Sequence, residues 1–250
     1  MRDVKSILST IISNIDKSIY IYSVIEIDGG WRIVVNRTLW LSIGDVITIN
    51  EIDYTITDYV LNASIDLTGS EIPIIGTFNA KTPYFTYGKY SRVNDELNQV
   101  QDKESFLPLI WLFENNVRQA PTRVDSLIDS RGTVRLFLCM TTDWQVDREE
   151  DEKRTIAPLR QLATVISNEV FTNKNVYRGD FWNDYKEHSK FTTGGDGLNT
   201  NGNNVLGMTL SGVELSLYVS IKQDLCTFEG ATATRPQGAG FDYNFDFNFE

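Results

Sequence analysis

Few residues in this chain are of a type and spacing that could do chemistry. The single histidine, His188, stands in Tyr185-Lys186-Glu187-His188-Ser189, and the two cysteines, Cys139 and Cys226, are distant from it in sequence. A Ser-His-Asp site needs its serine on a sharp turn, and no Gly-x-Ser-x-Gly occurs. A zinc site needs three or four ligands, which one histidine and two scattered cysteines do not supply. His188 is therefore expected to be exposed or incidentally hydrogen-bonded. Both cysteines sit in or beside apolar strand patterns and read as buried thiols.

The glycine-rich run from Thr192 to Asn204 invites a test as a calcium loop. With Gly202 as the turn glycine, the first ligand position is Gly197 and the last Met208, and neither side chain can coordinate. No Gly-Lys-Ser/Thr follows, so it is not a phosphate loop either. Residues 143–154 carry Asp143, Asp147, Glu149, Glu150, Asp151 and Glu152 among three basic residues. Consecutive charges do not converge on one point, so a solvated loop leading into a helix is expected. The reading is of no catalytic residue, no metal and no cofactor. Paired carboxylates acting on a glycan stay open as one alternative, because their separation is not written in a sequence.

The bulk properties bound the rest. With 34 acidic and 23 basic residues, the net charge of −11 argues against a phosphate-binding surface and for solubility. At 250 residues and 41% hydrophobic content, the chain suits one large domain or two small ones with a genuine core. No stretch approaches the roughly 20 apolar residues that span a bilayer. The first helix is broken by Ser6, Ser9, Ser13 and Asn14, unlike a signal peptide. Synthesis in a cytoplasm and no membrane partner are expected.

The elements that must position any site follow from periodicity. Val4, Ile7, Leu8, Ile11, Ile12 and Ile15 recur at helical spacing behind a possible cap at Asp3. Ile25 and Ile27, then Asp28-Gly29-Gly30, then Trp31, Ile33 and Val35 read as a hairpin. Ile43 to Ile49, a turn at Asn50-Glu51, then Ile52, Tyr54 and Ile56, and finally Ala63 to Leu67 add further strands. Together these predict a small β-barrel of the SH3-like or OB type. Thr77 to Gln99 reads as a connection with a short helix at 93–100. Strands are expected at Leu107–Phe113, Gly132–Met140 and Val213–Ile221, with 114–131 an irregular loop. Thr155 caps a helix whose Ile156, Leu159, Ala163, Ile166 and Val170 share a face, with Pro158 harmless in its first turn. Phe171 to Gly212 reads as one long loop.

The segment after Phe228 loosens and ends on Phe241, Tyr243, Phe245, Phe247 and Phe249, alternating with Asp242, Asn244, Asp246, Asn248 and Glu250. Period-two alternation with one aromatic face makes it a strand that docks on its own chain or on a neighbour by strand addition. These five aromatics are the candidate partner-binding residues.

Setting aside residues 20–100, the order is helix, strand, strand, helix, strand: Val4–Ile15, Leu107–Phe113, Val134–Met140, Ile156–Val170 and Val213–Ile221. With Leu107-Pro108-Leu109-Ile110 opening its first strand, this order resembles the tail-terminator and tail-completion proteins of tailed bacteriophages. The resemblance covers about half the chain. It implies an α+β fold in which two helices cover a small mixed or antiparallel sheet, formed by 1–18 and 101–228. Residues 19–100 are then an inserted barrel and connection, and 229–250 a C-terminal extension. It implies a non-enzymatic virion protein that forms a ring at the head–tail junction. Its partners would be copies of itself, neighbouring neck or tail proteins, and DNA passing without sequence-specific contact. A carbohydrate-binding or host-attachment module is the rival, since five Trp and eleven Tyr would suit sugar stacking.

Overall fold

The computed structural model describes residues 4–89, 107–115, 118–120, 128–142, 145–173, 176–178, 184–191 and 210–223. They form a mixed α+β fold, mostly β, with two sheets that share one continuous hydrophobic core. Helix α1 (Val4–Ser13) buries Val4, Ile7, Leu8, Ile11 and Ile12, the stripe that its spacing predicts. It stops two residues short of the expected Ile15, and its expected cap, Asp3, lies outside the described residues.

The first sheet follows at once. β1 (Ser18–Ile27) and β2 (Gly30–Val35) form the expected hairpin, with Gly29 at φ 82 supplying the left-handed turn. β3 (Val46–Ile49) and β4 (Ile52–Val60) join through Asn50 and Glu51, both at positive φ. β5 (Ser64–Thr68) and β6 (Thr77–Asn79) complete the order β3-β4-β5-β2-β1-β6. The two ends of that path, β3 and β6, lie against each other, so the sheet curls almost into a barrel. Ile19, Ile21, Ile33, Ile56, Ile65 and Leu67 point inward and are almost wholly buried.

The second sheet has seven strands. β7 (Tyr84–Tyr87) runs parallel to β8 (Leu109–Asn115), and β8 pairs antiparallel with β10 (Ile128–Thr141). β10 pairs along its whole length with β13 (Leu210–Gln223). β9 (Arg118–Ala120) flanks β10, while β11 (Val176–Arg178) and β12 (Asp184–Phe191) flank β13. Three expectations change here. Residues 77–89 hold β6 and β7 as well as connection, although the helix expected at 93–100 lies outside the described residues. Residues 114–131 hold the end of β8, all of β9 and the start of β10. Within 171–212, the expected loop, β11 and β12 are strands. β12 reads Asp-Tyr-Lys-Glu-His-Ser-Lys-Phe, with no apolar alternation, and it pairs with β13 through backbone bonds.

The helical run after β10 also starts earlier than its pattern suggests. Asp147, not Thr155, is the cap, its side chain accepting from the Glu150 N–H at 2.8 Å. Helix α2 (Arg148–Asp151) leads into a π-helical segment (Glu152–Ile156) and then α3 (Ala157–Thr172). The expected solvated loop is thus helical through its second half, and its Asp151 is buried. Thr142 Oγ1 donates to Asp151 Oδ1 at 2.5 Å, and Ser211 Oγ lies 2.9 Å from Oδ2. α3 lays Leu159, Leu162, Ala163, Ile166 and Val170 on β10, β11 and β13, and α1 packs beside it against β7.

Pro158 explains the π-segment. It has no N–H and its ring crowds the carbonyl four residues back. Arg154 therefore loses the donor that an α-helix would give it, and Lys153 the donor that a π-turn would give it. Both carbonyls are instead capped from the barrel. Tyr59 Oη donates to Lys153 O at 2.5 Å, and Ser42 Oγ donates to Arg154 O. Burial pushes the Tyr59 hydroxyl up to about 12, so it stays protonated and able to donate. Ser42 is itself held by its own N–H, which donates to Asp45 Oδ2 at 2.7 Å. An ion pair between Lys153 and Asp58 lies beside them. Nearby, Ala80–Pro83 link the sheets and are pinned on both sides. Ala80 N–H donates to Lys17 O at 2.9 Å, Trp40 Nε1 to Lys81 O at 2.8 Å, and Lys17 Nζ to Thr82 Oγ1 at 3.0 Å.

Tyr59→Phe and Ser42→Ala should each cost about 1 kcal/mol, the usual net worth of one hydrogen bond. Amide exchange across 156–162 should accelerate in the double variant. Exchange there at the unmodified rate would show that the two caps do not hold the segment.

Candidate interaction surface

The side of the seven-stranded sheet away from α3 carries the polar residues. Along β13, Val213, Leu215, Leu217 and Val219 face the helix, so Glu214, Ser216 and Tyr218 face the other way. Arg135, on β10, donates to Glu214 Oε1 from Nε at 2.8 Å and again from Nη2. The Arg135 guanidinium also lies 4.9 Å from the centre of the Phe113 ring. His188 sits on β12 opposite Gly212, with Nε2 3.5 Å from Glu214 Oε2 and its ring edge-on to Phe137 at 5.7 Å. It is half-buried beside a carboxyl group, where the sequence suggested an exposed or incidental position.

Cys139 belongs to the same cross-strand row, since it pairs with Gly212, which pairs with His188. The row is not a nucleophilic pair. The Phe137 ring occupies the space over Gly212, where an added Cβ would come within 2.7 Å of it. Cys139 is buried, as expected, and burial pushes its thiol up to about 12. The cluster fills the outer face with the Arg135–Glu214 pair and the edge-on rings of Phe137 and His188. Other buried or half-buried carboxyl groups are also occupied: Asp66 accepts two hydrogen bonds from Arg32 at 2.6 Å, and Asp151 accepts from Thr142 and Ser211. Among the described residues, no group of three His, Cys, Asp or Glu could hold a metal ion. No described helix is long and apolar enough to cross a membrane.

Apolar exposure is concentrated elsewhere. Of the eleven large hydrophobic side chains exposed among the described residues, nine lie on the barrel. Tyr20 and Tyr22 stand on β1 with their rings edge-on at 5.2 Å. Ile72, Ile74 and Ile75 follow on the β5–β6 connection, each more than half exposed. That connection is held at both ends. Gly69 lies against the Tyr54 ring, leaving no room for a Cβ, and Gly76 O accepts from the Ile21 N–H at 2.8 Å. The three isoleucines lie outside the ladder, in the irregular segment that ends at the bond between Gly76 and Ile21. The signal for them was an apolar run, Ile-Pro-Ile-Ile, enclosed by glycines. It has no strand or helix period, so sequence reasoning passed over it.

The start of β1 is fixed by a charged clasp. Asp16 Oδ1 accepts from Ser18 Oγ at 2.7 Å and from Ser18 N–H at 3.0 Å, and Arg37 pairs with the other oxygen. The Ser18 hydroxyl, then its N–H, then Arg37 hold the Asp16 carboxyl down at about 2, against an ordinary 3.8. The five aromatic candidates, Phe241, Tyr243, Phe245, Phe247 and Phe249, lie outside the described residues, as does Cys226.

No protein-family model matches this chain, and no curated protein does.

Two outcomes follow from the geometry. A depressed carboxyl pKa favours the folded state above the unfolded value and ceases to as pH falls through the folded one. The clasp should therefore loosen between about pH 4 and pH 2. A carboxyl-resolved NMR titration should place the Asp16 midpoint near 2, and Ser18→Ala should raise it; an unmoved midpoint would refute the assignment. Separately, Cys139 should resist iodoacetamide at pH 8 in the folded chain and react after denaturation, as read by peptide mass mapping.

Proposed function

We propose that this chain is a structural virion protein of a tailed bacteriophage. It forms a closed ring in the head–tail connector or tail and joins neighbouring rings around the DNA channel. The observation that carries this reading is the contrast between the two sheets. The seven-stranded sheet, backed by α1 and α3, is a rigid plate whose outer charges neutralise one another. The barrel bolted to it carries nine of the eleven exposed large hydrophobic side chains among the described residues. A ring subunit needs that combination, a stiff body that sets spacing and an adhesive part that grips copies.

The finer features fit the same reading. The nearly closed six-stranded sheet is taken as a small adapter barrel of the SH3-like or OB kind. Two helices on one face of the plate agree with the tail-terminator resemblance, and the net charge of −11 suits a channel through which DNA slides without sticking. The aromatic segment 241–250 is assigned the part of an arm that holds a neighbour.

Negative-stain imaging and native mass measurement of the purified chain should show a closed oligomer, and a strict monomer at micromolar concentration would refute the proposal. Deleting 241–250 should shift that mass downward while leaving the thermal midpoint of the subunit unchanged. Retention of the full oligomer mass would remove the arm from the proposal.

A further inference from the structure

We infer that the surface formed by Tyr20, Tyr22, Ile25, Ile72, Ile74 and Ile75 receives residues 241–250 of a neighbouring copy, which add as a strand beside β1. This rests on the ring reading above and names the surface that the arm would grip.

The backbone provides the first argument. β6 pairs with β1 only over Ser18–Tyr20, and the last bond is that from Ile21 N–H to Gly76 O. From Tyr22 to Ile27, β1 pairs with β2 on one side, and no described strand lies on the other. An edge of this kind is a template for another strand. Here it is bordered by exposed apolar side chains, Tyr22 and Ile25 on the strand and the three isoleucines on the adjoining connection.

The sequence of the occupant provides the second argument. Phe241-Asp-Tyr-Asn-Phe-Asp-Phe-Asn-Phe-Glu250 puts an aromatic residue at every other position. In an added strand one face is wholly aromatic and the other wholly polar. The aromatic face fits the isoleucine and tyrosine surface, while the acidic face stays in water and adds to the solubility of the assembly. Pairing through the backbone supplies affinity, and the alternate side chains supply register.

Chain length favours a neighbour over the same copy. Ser211, near the start of β13, touches Asp151, two residues from the joint with the barrel. β13 then runs away from that joint to Gln223, roughly 40 Å at about 3.3 Å per residue. A coil of the length of residues 224–240 has an r.m.s. span of about 20–25 Å. That relaxed span is shorter than β13, so the barrel of an adjacent subunit is taken as the receptor. Fully extended, the same stretch spans roughly 55–60 Å and reaches either copy, and the isotope labels below separate the two.

The test uses the full chain in its assembled form. Photoreactive p-benzoylphenylalanine replaces Tyr22, which is well exposed, and a second preparation carries it at Ile72. Unlabelled probe-bearing copies are mixed with 15N-labelled unmodified copies, irradiated, digested and analysed by mass spectrometry. The expected product is a cross-link to 241–250 in its 15N form from both probe positions. Ile74→Asp with Ile75→Asp should cut its yield about tenfold or more, since each removes a buried aliphatic contact. Cross-links to 241–250 in the unlabelled form alone, to any other segment, or in undiminished yield from the double variant overturn the inference. A closed oligomer with cross-links elsewhere sinks this inference but leaves the ring reading standing. A chain that is monomeric throughout sinks both.

Discussion

The arrangement of this molecule turns on an amide proton that Pro158 does not have. A helix long enough to cover β10 and β13 must pass through that residue, and two carbonyls before it are left without intrahelical donors. The chain opens into a π-turn there, and the hydroxyls of Tyr59 and Ser42 take the vacant places. A local defect in one unit is thereby made good by side chains of the other. Neither part is complete alone: without the barrel the helix has orphaned carbonyls, and without the helix two barrel hydroxyls lose their acceptors. These caps add polar ties between two sheets that already share one apolar core.

On the far side of the plate the same economy of unpaired groups holds. Glu214 is nearly enclosed, and Arg135 and His188 close around it while the Phe137 ring fills the gap left by Gly212. A sheet face of this composition is settled. The barrel is less so, since its apolar side chains point outward from β1 and from a connection too short and too well anchored to fold them inward. Among the described residues the barrel thus carries most of the exposed large apolar side chains, and it shares its buried core with the plate.

Much of this could be read from residue order, and the failures have physical causes. α1, the Asp28-Gly29 hairpin and β13 were legible because burial on one face imposes a period on side chains. β12 was not, because an edge strand is stabilised by backbone bonds to β13 and leaves its side chains free to be Lys, Glu and His. β7 was hidden for a related reason: its partner β8 is parallel and remote in sequence, so no turn announces the pair. The run from Asp147 to Glu152 looked like a solvated loop because Asp151 is satisfied by Thr142 and Ser211, neither of which is close enough in sequence to suggest it. Pro158 looked harmless because the helix appeared to begin at Thr155, when it begins at Arg148. The exposed surface of the barrel was missed because alternation tells which residues share a face but not which residues of a turn stay outside. The aromatic segment was conspicuous in sequence, and it lies outside the described residues.

The link Ala80–Pro83 has a mechanical corollary. Only four residues separate β6 from β7, and hydrogen bonds from Lys17 and Trp40 grip them from either side. With so short a link tied to the barrel at three points, the chain has little slack between the sheets, and any hinge there would have to break those bonds first.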